Sequence, residues 1–453
     1  MTAALFILGI VLMLVGISVS IGLHELGHLV PAKRFGVKVT HYMIGFGPTL
    51  FSFRRGETEY GIKLLPLGGY IAMPGMYPPL EATEGGRPPA RRRARLFQRT
   101  VDDAREVSNQ EIGPGEEGRT FYALSVPKRL VVMFGGPCVN LVLGIVIMAI
   151  VLFGFGVAKG PSTTVATVVE CAVPASEAAA RPAEQKNECQ PGDQQTPAWQ
   201  AGLRPGDTIV ALDGQRISDW DQLSALIRTD AGKTVPLTIE RDGAEQSLEV
   251  PIIRTERPVT GADGQQETNA DGSPKTAQAG FLGIGPTQLR EPLPVAEFPG
   301  QVGQMIGQTF TALITLPQKL VGVGQTAFTD RERDPNGPIG MVGVGRVAGE
   351  IASQSQFDVA QKAQIGLSLL GSLNFFLFAF NMVPLLPLDG GHIAVGLYEG
   401  ARRRLSLLRG RGPTGPFDTA KLLPLTYVVI GAMLCMTALL AYVDIVKPVS
   451  LFG

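Results

Sequence analysis

The amino-acid sequence predicts a polytopic α-helical membrane protein. It should have four transmembrane helices, a β region after the first, and an extracytoplasmic α+β domain between the second and third. Three observations predict this. Apolar residues come in blocks of about twenty, long enough to cross a bilayer core as a helix. Charged residues are 18% of the 453-residue chain, below the usual quarter, and lie mostly between the blocks. Between the second and third blocks the pattern changes to the turns and alternation of soluble β structure. The formal net charge is zero, so no basic field invites nucleic acid, and none is expected as a partner.

The first span, within residues 1–32, has no charged residue from Met1 to Leu23. A cleaved signal peptide would need a basic start and a small-residue cleavage site. Here the apolar run leads straight into "HELGH", which reads as a retained span. Residues 33–128 form a loop. Within it, 37–75 alternates apolar residues with glycine breaks around an Arg-Arg-Gly-Glu turn, the pattern of a hairpin. From Leu80 to Gly118 there is no periodicity, and a partly disordered loop is expected. The second span lies in 129–158, around Leu130 to Val157.

In 159–256, "AGLRPGDTIVALDGQRISDWDQLSALI" reads as turn, strand, turn and a helix starting near Ser218. "TVPLTIERDGAEQSLEVPII" reads as a hairpin around Asp242-Gly243. Residues 257–363 are expected to be a linker followed by amphipathic helices, Val302 to Val323 being too interrupted for a span. The third span lies in 364–392 and ends at "LDGGH"; 393–421 reads as a basic loop, and 422–446 as the fourth span.

Basic residues give the orientation, because short loops rich in Lys and Arg stay in the cytoplasm. Lys33, Arg34, Arg91, Arg92, Arg93 and Arg95 follow the first span; Arg402, Arg403, Arg404, Arg409 and Arg411 follow the third. Four spans put both loops inside, with the N-terminus and the 159–256 domain outside. Of the four cysteines, Cys138 and Cys435 fall in spans and are expected to pack there. Cys171 and Cys189 fall on the oxidising side, where a disulfide and two free thiols are both open.

The chemistry is concentrated at two places. On a helix His24 and His28 are one turn apart and share a face, so both imidazoles can reach one Zn²⁺. Glu25 lies beside them, placed to take a proton from water. Two satisfied polar residues at a helix end are the bland alternative, set against the cost of charge near a span. A catalytic zinc takes a third protein ligand. Asp389 is the only acidic residue between Asp358 and Glu399, and it lies at the depth of the HELGH motif if the first and third spans both run inward. His392 competes for the role, and Asp389 could instead cap a turn. His41 reads as structural or substrate-adjacent rather than a ligand.

The stretch Thr163 to Arg254, with A-G-L-x-P-G-D and Asp-Gly turns, resembles a bacterial PDZ domain, a fold that binds extended peptide ends by strand addition. HELGH, "GGPCVN" in the second span, this single PDZ insert and "NMVPLLPLDGGH" together resemble the site-2 protease family of intramembrane zinc metalloproteases, in its bacterial RseP-like branch. That resemblance implies His24, His28 and Asp389 as zinc ligands and Glu25 as general base. It implies substrate handling by Asn381 and, with a less certain role, by Asn140. It also implies that 37–75 is a membrane-re-entrant β region, an ordinary cytoplasmic hairpin being the alternative. The partners it implies are the lipid bilayer and single-span substrates: anti-sigma factors already cut by a site-1-type protease, and remnant signal peptides. The location it implies is the bacterial inner membrane, with the active site near the cytoplasmic side. Two rival readings remain. A metal transporter should show repeats and polar residues strung through its spans. A non-catalytic PDZ scaffold would not need Glu25.

Overall fold

The computed structural model describes residues 2–78, 103, 106, 108, 112–181, 189–259, 267, 269, 275–329, 333, 334, 337–354, 357–410 and 415–449. Arg91 to Arg95, Arg411 and most of 80–111 and 260–274 lie outside them. The chain forms two compact units, residues 155–293 and the remainder.

The larger unit begins with α1 (Thr2–Arg34). Its 33 residues extend about 50 Å at 1.5 Å each, well beyond a 30 Å bilayer core. The metal motif therefore sits inside the helix, His28 lying about 9 Å before its end. Strands β1 (His41–Arg55) and β2 (Thr58–Ala72) follow. They turn at Gly56-Glu57, with Gly56 at φ 64°. Tyr42 faces both Ile71 and Tyr60, and Phe53 faces Tyr60 from the far side. The two long strands thus fold into four ribbons ordered 69–72, 41–44, 59–62 and 51–55. The second span is α2 (Val126–Ala149), continued by a π-helical turn at Ile150–Phe155.

The smaller unit is built on a sheet ordered β10-β3-β4-β6-β7. Its strands are β3 (Val157–Val168), β4 (Thr208–Leu212) with the short β5 (Gln215–Arg216) beside it, β6 (Thr234–Arg241) and β7 (Ala244–Pro251). Helix α3 (Trp220–Thr229) buries Leu223 and Ile227, one turn apart, against a core including Ile209, Leu237, Ile239 and Val250. Asp219 caps it, accepting the Gln222 N–H at 2.8 Å. Asp242 and Gly243 both have positive φ, as a two-residue hairpin turn between right-twisted strands requires. Cys171 and Cys189 form a disulfide.

The expected linker after 256 is corrected here. β8 (Ile253–Pro258) and β9 (Thr276–Phe281) form a hairpin, and β10 (Ile284–Glu291) completes the sheet as its edge beside β3. Gly285 and Pro286 interrupt the period of two in β10, which hid the strand.

Arg241 donates from Nε and Nη2 to buried Asp207 at 2.7 Å each. The Arg241 hydrogen bonds, with a further one from the Arg204 N–H, hold the Asp207 carboxyl below its ordinary value against the opposing effect of burial. A depressed carboxyl stabilises the fold above its unfolded pKa of about 3.9 and loses that stabilisation as pH falls through the lower folded value. Asp207→Asn is expected to cost about 1.5–3 kcal/mol at neutral pH and to flatten the acid limb of the stability curve. Unfolding followed between pH 2 and 7 checks both.

Back in the larger unit, α4 (Phe298–Phe328) is long but carries polar residues along one side and meets none of the criteria of a span. α5 (Met341–Ser353) is mostly buried, and its Ala348 carbonyl would lie 2.4 Å from a Cβ at Gly9 of α1. α6 (Val359–Asn381) is the third apolar span, and α8 (Leu423–Val446) belongs to the fourth. The four apolar helices match the expectation in number and place. Two boundaries are corrected. The third span ends at Asn381 rather than running to 392, because Pro384 and Pro387 cannot continue it. The expected loop at 393–421 is largely helix, α7 (Asp389–Leu408).

α7 is fastened to α2 by a buried ion cluster. Glu399 accepts from Arg129 and from Arg403 at 2.7 Å, and its second oxygen accepts the Phe417 N–H at 3.1 Å. Glu399→Leu leaves Arg129 buried and uncompensated, and is expected to cost about 3–5 kcal/mol. Reversible unfolding in detergent measures it; a change below about 1 kcal/mol would make the cluster incidental.

Candidate metal centre

The two motifs singled out in the sequence meet. His24 and His28, on successive turns of α1, and Asp389, the first residue of α7, aim three atoms at one point. The Nε2 atoms of the histidines are 3.2 Å apart, and each is 3.3 Å from Asp389 Oδ2. Two imidazole nitrogens and a carboxylate oxygen at this spacing, all shielded from solvent, satisfy one another only around a shared cation or proton. Tetrahedral zinc with bonds of about 2.0–2.1 Å sets its ligands about 3.3 Å apart, so the triangle fits that ion. It is the one such group of metal-ligating residues among the described residues. His392 is not part of it. His41 lies on β1, its Nδ1 3.0 Å from Thr40 Oγ1.

Helix α2 shapes the back wall. His28 Nδ1 donates to the Val132 carbonyl at 2.7 Å, which leaves Nε2 free as a ligand. One turn on, Gly136 makes room for the ring, since a Cβ there would stand 2.2 Å from His28 Nε2. A further turn on, Asn140 is fully buried, with its side-chain Nδ2 3.1 Å from His24 Nδ1. Asn140 was expected to meet substrate; the structure places it against a ligand instead. The helices touch backbone to backbone beside the motif: a Cβ at Gly135 would lie 2.0 Å from the Gly27 carbonyl. Small residues allow such close approach in a membrane.

The four-ribbon sheet covers the other side. Tyr42 Oη donates to the Gly22 carbonyl at 2.7 Å, holding the sheet against the turn of α1 that precedes the motif. Gly69 lies on the outer ribbon, where a Cβ would stand 2.9 Å from Glu25 Cγ. The backbone N–H of Ile71 hydrogen-bonds the Glu25 carboxylate, which also interacts electrostatically with His24, His28 and Asp389. Asn381 ends α6, half-buried, eight residues before Asp389.

Val132, Gly136, Gly69, Ile71 and Tyr42 were not identified from the sequence as parts of the site. The only signal for any of them was the Gly-Gly and Asn in "GGPCVN", which marked the turn of α2 but not what it faces.

Comparison with known proteins now adds to the geometry. The model of a family described as peptidase family M50 matches residues 12–411. The chain is 33% identical over 454 residues to zinc metalloprotease Rip1 of Mycobacterium tuberculosis (strain ATCC 25618 / H37Rv), covering 99% of this chain and 100% of that one. It is 26% identical over 407 residues to metalloprotease MmpA of Caulobacter vibrioides, covering 88% of each. It is 26% identical over 425 residues to zinc metalloprotease RasP of Geobacillus kaustophilus, covering 84% of this chain and 86% of that one.

Proposed function

The chain belongs to peptidase family M50, and from that premise we propose a zinc metalloendopeptidase of the intramembrane, site-2 type that cuts single-span membrane proteins. The family and the relatives make it a zinc metalloprotease, and the four apolar helices make it a multi-pass membrane protein. The observation that carries the finer reading is the buried triangle of His24, His28 and Asp389 with Glu25 beside it.

In this reading His24, His28 and Asp389 hold the zinc. Bound there, the ion supplies Lewis-acid polarisation of the scissile carbonyl and makes a water acidic enough to attack near neutral pH. Glu25 accepts that water's proton and returns it to the leaving amine. The Ile71 N–H keeps the carboxylate turned toward the metal side. A helical substrate has its carbonyls already hydrogen-bonded and must open first. The outer ribbon 69–72 beside Glu25 offers backbone groups to an extended segment. Asn381, at the end of α6, offers a side-chain amide to the same opened backbone. Phe46, Leu50, Phe51, Phe53, Ile62 and Leu64 are all exposed on the sheet, which supports its reading as membrane-re-entrant.

The substrate class proposed is the anti-sigma factor, cut after a site-1-type protease has removed its outer domain, together with remnant signal peptides. The smaller unit is proposed as an extracytoplasmic PDZ domain. It has a free edge strand, β10, and a cavity of ≈ 540 Å³ lined by Trp220, Ile227, Arg228, Phe281 and Gly283. The basic residues of both loops support an active site toward the cytoplasmic face of a bacterial inner membrane.

The test uses the purified full chain in detergent with a single-span substrate already trimmed outside. Cleavage should stop on zinc chelation and return on adding zinc back. Cleavage indifferent to chelation, or zinc transport into vesicles without cleavage, would replace this reading by another.

A further inference from the structure

We infer that Asn140 is a positioning residue for the metal centre: its side-chain oxygen accepts the Nδ1–H of His24 and so holds Nε2 toward the metal. The inference rests on the zinc-binding reading above and goes beyond it.

An imidazole that binds metal through Nε2 carries its proton on Nδ1, and that proton needs an acceptor. For His28 the acceptor is the Val132 carbonyl. For His24 the group at hand is the side-chain amide of Asn140, 3.1 Å from Nδ1. Its Oδ1 is buried and has no hydrogen-bond partner. Turning the amide by 180° exchanges the two ends, as amide assignment allows. The oxygen then meets the Nδ1–H, and one rotation removes an orphaned acceptor and supplies the missing one. Burial of an unpaired amide oxygen is costly, so this orientation is the favoured one once Nδ1 is protonated.

The placement is systematic. Val132, Gly136 and Asn140 are spaced by four on α2 and therefore share one face. The first fixes the His28 ring, the second clears space for it and the third fixes the His24 ring. With no exposed surface, Asn140 cannot reach a substrate.

The experiment measures zinc affinity of the full chain in detergent by competition with a chelating dye. Wild type, Asn140→Leu and Asn140→Asp are compared. Leu keeps the branched shape of Asn and removes the acceptor, so affinity should fall by about 10–100-fold, the usual cost of losing such a partner. Asp can only accept, so affinity should stay within about threefold of wild type. A packing role alone would give the reverse order. Leu binding zinc like wild type, or Asp falling at least tenfold, overturns the inference. If Leu prevents folding, the Asp variant decides by the same threshold. Wild type that binds no zinc removes the metal-centre reading itself, and this inference with it. One zinc in wild type and unchanged affinity in both variants removes only the inference.

Discussion

Glu25→Gln is expected to lower peptide hydrolysis by about 10²–10⁴-fold, the range for losing a positioned general base. That corresponds to about 3–5 kcal/mol of barrier. Gln is isosteric and keeps an oxygen for the Ile71 N–H, so the contact between α1 and the sheet survives. The triangle of His24, His28 and Asp389 does not include residue 25, so one zinc per chain should remain. Single-turnover cleavage, paired with metal analysis of the same preparation, checks both halves. Activity within tenfold of wild type would remove Glu25 from the chemistry. Loss of zinc with loss of activity would make it a structural support of the site.

Gly136→Ala is expected to be nearly as damaging through a different cause. The added Cβ would lie 2.2 Å from His28 Nε2 and 2.7 Å from the two ring carbons beside it. Non-bonded atoms settle at about 3.5–4.0 Å, so the ring or the helix must shift by about 1 Å or more. The ring cannot retreat without breaking its 2.7 Å bond to Val132. The backbone cannot retreat without opening the Gly27–Gly135 contact one residue away. A misplacement of about 1 Å costs about 100-fold in rate. Zinc affinity should fall with it. Gly431→Ala on α8 is the control, since nothing lies within 4 Å of a Cβ there. Wild-type zinc affinity in the Gly136 variant would show that the helices adjust freely.

Much of the site was legible because its parts are short in sequence and chemically distinctive. His24, Glu25 and His28 share one helical turn, and Asp389 is isolated among apolar residues. What was not legible depends on tertiary contact. Nothing local to Gly69 says that it will lie on Glu25, or that Tyr42 will reach the Gly22 carbonyl. Asn140 looked like a substrate contact because polar residues in spans default to function. Its burial, visible only in three dimensions, redirects that function to His24. The helix at 389–408 was read as loop because clustered arginines dominated the reading, although Leu397, Leu405 and Leu408 continue beside them. The edge strand β10 was missed for its glycine and proline, residues that an edge tolerates and a central strand does not.

The backbone contact between Gly27 and Gly135 has a consequence for how the protein meets its lipids. Bilayers differ in thickness by several Å, and a helix longer than the core responds by tilting. Two helices that touched only through long side chains could each tilt separately, and a metal ligand on one would drift from the wall on the other. α1 and α2 interlock at the turn that carries the histidines, so hydrophobic mismatch is taken up by tilting the pair as one body. The distances around His24 and His28 are thereby insulated from membrane composition, and thickness acts instead on how a substrate helix is presented to them.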